Sequence, residues 1–413
     1  MATNPFATDM FREVSCRAVG TDTYHVTSFS NVTAFETDEG LALVDTGLPM
    51  MADGMAASLR QQTEAPVTLA LYTHGHMDHA FALESYLLED QEDPTVLAHT
   101  AMPERFDRYR DTAAHNAAVN ARQFMGTAPD PEGPDSGDLD RFGWPEHPPT
   151  MLHEDGVTLE VGEITLEVHH GKGETDDHSW CYCPDRDVLC TGDFVIGVAP
   201  NAGNPQKVQR YPWEWATVLE EMAALDAGTL CPGHGVPIVD DPATIRERLL
   251  RSAEYLETIV DRTLEALNDG SPPHVDIVTE IDLPEPEESW LAETYDDGEF
   301  VARSVIRYVG GWWTGRPSEL KPAPRSIRAS ELAALADGAD VLADRSAELA
   351  ADGRLRLATH LADLALEAAP DDEDVRERVA TVHETRSEEE QDLMSRNIFA
   401  AAAEYARQGR PYR

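Results

Sequence analysis

Val67-Thr68-Leu69-Ala70-Leu71-Tyr72-Thr73-His74-Gly75-His76-Met77-Asp78-His79 is the stretch on which the fold turns. Its first half is an apolar run of strand-forming residues. Its second half sets three histidines and an aspartate within six residues. Imidazole nitrogen and carboxylate oxygen suit zinc, and this spacing sends side chains toward two neighbouring sites. Burying so many polar groups unpartnered would be costly, so packing alone does not explain the segment.

Strands and helices alternate around it. Thr23–Ser28, Val32–Glu36, Leu41–Asp45 and Val67–Tyr72 read as strands, with a hairpin at Asp38-Glu39-Gly40. A helix is expected after the motif, with Phe81, Leu83, Leu87 and Leu88 on one face, and Arg105–Met125 also reads as helical. Residues 126–150, dense in Gly and Pro, form a long surface loop. Strands return at Val157–Val161, Thr165–His169, Ser179–Cys183, Val188–Thr191 and Thr229–Cys231. Two β-rich halves that each carry helices imply an α/β sandwich, stacked sheets covered by helices. Cys181 and Cys183 share one strand face and read as small buried side chains; no second such pair completes a thiolate site.

From Asp240 onward the pattern is helical. Asp241-Pro242 caps a helix that ends near Gly270. Leu332, Leu335, Ala339 and Leu342 recur at helical spacing, and Leu355–Ala368, Val375–Arg386 and Leu393–Arg407 follow. Ala358–Ala369 before Pro370-Asp371-Asp372 resembles one tetratricopeptide-type helix boundary, short of a repeat array. The expected division is a catalytic domain over 1–240 and an all-helical domain over 241–413.

The chain has 77 acidic and 32 basic residues, a formal charge of −45, with only Lys172, Lys207 and Lys321 as lysines. That balance argues against nucleic acid or an anionic membrane as partner and reads as a surface suited to high salt. At 41% apolar residues the chain is not a disordered one. No leader, membrane span or disulfide framework is visible among its features, so a cytoplasmic location is expected.

Four segments in order, Leu43-Val44-Asp45-Thr46-Gly47, Thr73 to His79, Thr191-Gly192-Asp193 and Pro232-Gly233-His234-Gly235, resemble the metallo-β-lactamase superfamily. The resemblance implies an αββα sandwich with two Zn2+, or other divalent ions, at one edge. It assigns His74 and His76 to one ion, Asp78, His79 and His234 to the other, and Asp193 to a bridge; Asp78 and Asp193 are then also the catalytic carboxylates. Asp45 would orient a ligand by hydrogen bonding. Most of the superfamily supplies another histidine between the first motif and the bridge, where Gly171-Lys172-Gly173-Glu174-Thr175-Asp176-Asp177-His178 offers Glu174. A glutamate there is similar to the alkylsulfatase branch, whose helical dimerisation domain Tyr308-Val309-Gly310-Gly311-Trp312-Trp313-Thr314-Gly315-Arg316-Pro317 also resembles. Implied are a homodimer and a metal-bound hydroxide acting on a small anionic sulfate ester. The larger alkylsulfatases add a sterol-carrier-like domain, so a substrate other than a detergent is expected here. Three carboxylates and a hydroxide neutralise two divalent ions, where a histidine in place of Glu174 would leave one positive charge.

His169 reads as structural, while His170 and His178 stand between supporting a ligand and touching substrate. Asn201, Asn204, Lys207, Arg210 and Tyr211 follow the bridge and offer amides and cations to an anion's oxygens. His115 and Asn116 are further candidates for the pocket. Hydrolysis of another ester, thioester or lactone is the alternative on this fold, and a helical interaction protein with a vestigial catalytic domain is a third reading. The charge generates a first test. Salt shortens the Debye length to about 3 Å at 1 M, so the melting temperature should rise from low to molar salt; a flat or falling profile in a thermal melt would reject a salt-adapted surface.

Overall fold

The computed structural model describes residues 13–128, 143–270 and 276–412. Most of the expected loop over 126–150 therefore lies outside the described residues. The first sheet has the order β1 (Ser15–Gly20), β2 (Thr23–Thr27), β3 (Val32–Thr37), β4 (Gly40–Val44), β5 (Val67–Leu71), β6 (Thr95–His99) and β7 (Met151–His153). Its pairs are antiparallel as far as β4 and parallel beyond it. The second sheet runs β12-β11-β10-β9-β8, from β8 (Gly156–Val161), β9 (Ile164–His170), β10 (Ser179–Cys183), β11 (Val188–Gly192) and β12 (Thr229–Pro232). Only its β11/β12 pair is parallel.

Period-2 alternation sorts the strand residues into layers. Phe35, Ala42, Val44 and Leu71 of the first sheet meet Leu166, Val168, Cys181, Cys183, Cys190 and Cys231 of the second. Their neighbours Ala34, Leu41 and Leu43 face outward onto Met55 and Leu59 of α1 (Pro49–Leu59). On the far side Trp180, Leu189 and Leu230 pack against Trp215 and Leu219 of α5 (Pro212–Ala224). The expected four-layer sandwich is the observed one.

Between these lie α2 (Met77–Ala80), α3 (Met102–Asp111) and α4 (Ala113–Met125). The helix expected across Phe81 to Leu88 is not continuous. Thr46 intercepts it: its N–H and hydroxyl both donate to the His79 carbonyl, at 2.9 and 3.0 Å, and its Oγ1 takes the Ala82 N–H at 3.1 Å. After α2 only a 3-10 turn, Leu83–Tyr86, forms. The single helix expected over Arg105–Met125 breaks at Thr112.

The later helices are α6 (Pro242–Asn268), α7 (Ile277–Glu280), α8 (Gly298–Gly310), α9 (Pro317–Leu320), α10 (Arg325–Leu335), α11 (Ala339–Ala351), α12 (Leu355–Ala368), α13 (Glu373–Glu389) and α14 (Leu393–Arg407). Asp241 caps α6 by accepting the Thr244 N–H. Compactness divides the chain differently from a cut at residue 240: one unit comprises 1–113 and 140–312, the other 114–139 and 313–413. The cause is burial, since Ile245, Leu249, Leu256 and Ile259 of α6 and Val301, Ala302 and Ile306 of α8 share a core with α5. In the other unit α4 ties to α14 through Asn397 Nδ2, which donates to the Gln123 carbonyl at 2.7 Å. That unit's core is largely alanine, with Ala343, Ala358, Ala362, Ala365, Ala380, Ala403 and Ala406 among it.

Phe35 is fully buried between the sheets. Phe35→Ala should cost about 3–5 kcal/mol by loss of transfer energy and cavity formation, read as a lowered midpoint in denaturant melts at fixed salt. A change under about 0.5 kcal/mol, the size usual for surface sites, would contradict this core assignment.

Candidate metal centre

Strand ends build the site. Asp45 follows β4, the His74 motif follows β5, Asp193 follows β11 and His234 follows β12. Each pair of strands is parallel, so the four segments emerge at C-terminal ends. Glu174 comes from the β9–β10 loop.

The donors fall into two groups. His74, His76, Glu174 and Asp193 bring one atom each within 4.8 Å of one another, and so do Asp78, His79 and His234. Asp193 spans both groups. Its Oδ2 lies 3.7 Å from His74 Nε2, while its Oδ1 lies 3.3 Å from His79 Nε2 and 3.4 Å from His234 Nε2. In the first group His74 Nε2 and His76 Nδ1 are 2.7 Å apart, and Glu174 Oε1 is 3.7 Å from His76 Nδ1. In the second, Asp78 Oδ2 is 3.6 Å from both His79 Nε2 and His234 Nε2.

Hydrogen bonds at the back of the rings aim the ligating nitrogens. Asp45, at a left-handed φ of 64°, accepts the Thr73 N–H at 2.8 Å, the Thr73 hydroxyl at 2.9 Å and His79 Nδ1–H at 2.8 Å. The Thr73 oxygen then accepts from His74 Nδ1 at 3.1 Å. His234 Nδ1 donates to the Phe29 carbonyl at 2.5 Å. Each of these rings thereby turns its Nε2 to the centre. His79 Nε2 and Asp193 Oδ1 are buried and face each other at 3.3 Å without a well-aligned hydrogen bond, an arrangement that a cation between them would satisfy.

Electrostatics treat the two groups differently: burial lowers His79 and His234, but Asp193 and Asp78 outweigh it and raise both above the usual imidazole range, so a cation bound there displaces protons. Burial, then repulsion from neighbouring histidines, holds His74 well below its usual pKa; burial, then Arg210 and Arg105, does the same to His76. Neutral imidazole is the form that ligates. Burial would raise Asp193, but His79 and His234 outweigh it and hold the carboxyl well below the usual range. Burial pushes Glu174 up to about 8 with Asp193 and Asp78 adding to it, against the pull of Arg210. Cations between these carboxylates relieve that repulsion, so the donor set fits divalent metal.

The substrate-facing expectations divide. Arg210 is buried and committed to Glu174, with Nη2 at 2.9 Å from Oε1 and Nη1 donating to the Glu174 carbonyl. Asn201 Nδ2 also donates to Glu174 Oε1, at 2.5 Å. Asn204 donates its N–H to Asp296. Lys207 feels Arg210, Glu174 and Asp78, and burial brings it down to about 8; the Tyr211 ring lies 5.4 Å from the Lys172 ammonium. His178 supports the bridge, accepting the Asp193 N–H at 3.1 Å on Nε2 and stacking on Phe194 at 4.2 Å. His170 is tied to the Asp176 carbonyl at 2.9 Å and stacks on His99, while His169 stacks on Trp180. His115 and Asn116 stand on α4, described with the second unit. Sequence reasoning passed over Tyr295, which is buried and feels Glu174, Asp78 and Asp193; nothing in its local pattern marks it, because its segment is tied to the site by loop contacts distant in sequence, the Ala199 N–H donating to the Ala292 carbonyl and the Gly203 N–H to Asp296.

Comparison with known proteins supplies the relatives. Residues 26–234 match the metallo-beta-lactamase superfamily, and residues 274–409 match the alkyl sulfatase dimerisation domain. A linear primary-alkylsulfatase from a Pseudomonas strain is 24% identical, covering 82% of this chain and 66% of that protein. The alkyl/aryl-sulfatase BDS1 of Saccharomyces cerevisiae is 23% identical, covering 93% and 62%. The stereoselective inverting sec-alkylsulfatase Pisa1 from Pseudomonas sp. superposes with a TM-score of 0.84 at 20% identity, over 96% of this chain and 66% of that one, a likeness of fold. The chain thus spans about two thirds of the length of the relatives it matches.

Glu174→Gln keeps the side-chain volume but removes a charge and a strong ligand. Elemental analysis should show weakened metal on the His74/His76 side with folding retained, and Glu174→His should keep more metal than Glu174→Gln. Full metal content in Glu174→Gln, with loss in His170→Ala or His178→Ala instead, would move the ligand role to those histidines.

Proposed function

We propose that this chain, which belongs to the metallo-β-lactamase superfamily, is a metal-dependent hydrolase of sulfate esters in the alkylsulfatase branch. The observation that carries this reading is Glu174 standing among the histidine ligands, clasped by Arg210 and Asn201. The relatives named as alkylsulfatases support it.

The ions, two Zn2+ in this reading, would acidify a water and polarise the ester when bound. His74, His76, Glu174 and Asp193 would hold one, and Asp78, His79, His234 and Asp193 the other. Asp193 keeps the two groups at a fixed separation through its two oxygens. Arg210 pulls against the burial that raises Glu174 and holds its carboxyl beside His76, and Lys207 is assigned to the sulfate oxygens. Asn204 and Tyr211 are assigned to the remainder of the substrate. A homodimer formed through the C-terminal helices and a cytoplasmic, salt-rich setting complete the proposal; no helix among the described residues is long and apolar enough to cross a membrane.

A hydrolysis panel at molar salt tests the assignment. Alkyl sulfates should turn over, and the activity should vanish on chelation and return with zinc. Preferred turnover of a thioester, lactone or phosphate ester by the metal-loaded protein would reassign the substrate class. Activity on none of them would remove the enzymatic reading.

A further inference from the structure

The two donor groups are held by separate clamps. Asp177 lies in the Glu174 loop, and its Oδ2 accepts the Gly75 N–H at 3.0 Å while its Oδ1 accepts the Arg105 Nε–H at 2.8 Å. Arg105 also pairs with Asp176. Asp177 and Arg105 are both buried. One carboxylate therefore joins the His74–His76 turn of the first sheet to the Glu174 loop of the second. The approach is close: a Cβ on Gly75 would fall 2.7 Å from Arg105 Cδ and 3.0 Å from Asp177 Oδ2.

The other clamp is Asn31, buried between β2 and β3. Its N–H donates to the Gly233 carbonyl at 2.8 Å, and its Nδ2 donates to the carbonyls of Pro232 and Gly235, each at 3.0 Å. Its Oδ1 accepts the Ser28 N–H at 3.2 Å. The whole amide is spent on fixing the loop that carries His234, and the nearby Phe29 carbonyl orients that ring.

We propose that Asp177 with Arg105, and Asn31, are positioning residues that each set the affinity of one metal group. Asp177 governs the ion of His74, His76 and Glu174; Asn31 governs the ion of Asp78, His79 and His234. The inference rests on the reading of these groups as metal sites. Its physical basis is that the clamps share no atom, and His79 keeps its own tie to Asp45. Loss of one clamp frees one ligand loop and leaves the other ordered.

Cobalt titration against a competing chelator, in molar salt, tests this with Asp177→Ala, Asp177→Asn, Asn31→Ala and Asn31→Ser. The ligand variants His76→Ala and His234→Ala serve as spectral references for each emptied group. Asp177→Ala should weaken one ion by about 10–100-fold, the usual cost of losing a partner behind a ligand, and keep a second ion whose absorption matches that of His76→Ala. Asn31→Ala should weaken the opposite ion and match His234→Ala. The Asn and Ser variants should show the same selectivity, smaller in size, and carry the comparison if an alanine variant does not melt cooperatively. Both ions weakening together in each variant, or neither weakening, overturns the proposal. Fewer than two ions in the unsubstituted protein would overturn the metal reading beneath it.

Discussion

Three hydrogen bonds to the Asp45 carboxylate set the geometry on which the rest of the centre depends. They fix the backbone of the turn after β5, the tautomer of His79 and, through Thr73, that of His74. The arrangement requires the end of β4 to lie beside the end of β5, which only a parallel pair provides. Parallel pairing in turn needs a crossover, supplied by α1 with Met55 and Leu59 packed on the sheet. A side-chain tautomer is in this sense fixed by a helix on the far face of the sheet.

The second sheet repeats the device with different parts. The β11/β12 pair is parallel, α5 lies between those strands in sequence, and Asp193 and His234 emerge side by side. Gly233 is obligatory there: a Cβ would collide with Asp193 Oδ1 and stand 2.6 Å from the Gly192 carbonyl carbon. Neither sheet holds a complete donor group, because Asp193 faces His74 in one group and His79 in the other. Carboxylates converge here in a chain that already carries strong negative charge, so metal, once bound, relieves local repulsion as well as supplying reactivity.

The sequence announces the centre more plainly than its surroundings. The His74 to His79 donors are visible from residue type and spacing alone, while Asp193, His234 and Glu174 are visible only through the likeness of their motifs to the superfamily. Strands β2 to β5 and β8 to β12 are legible from alternation, and α12 and α14 from helical spacing. The edge strands β1 and β7, and β6 beside the latter, are not: Met151–His153 is three residues long, too short to show a period. The helix after the motif fails for a tertiary reason, since Thr46 lies far away in sequence. Arg210 is recognisable as a cation meant for an anion, but its anion is Glu174 rather than substrate alone. Asn31 and Asp177 look like ordinary loop residues until the sheets are stacked.

Four cysteines, Cys181, Cys183, Cys190 and Cys231, are free thiols buried in the sandwich, and Cys16 is partly accessible. Burial raises the pKa of Cys190 and Cys231 well above that of a free thiol, so in the closed fold they are poor nucleophiles. Their alkylation must wait for the two sheets to part. The thiols therefore form a built-in clock for opening of the sandwich. Labelling rates followed with and without metal would report how strongly the ions at the edge lock the interior, independently of turnover.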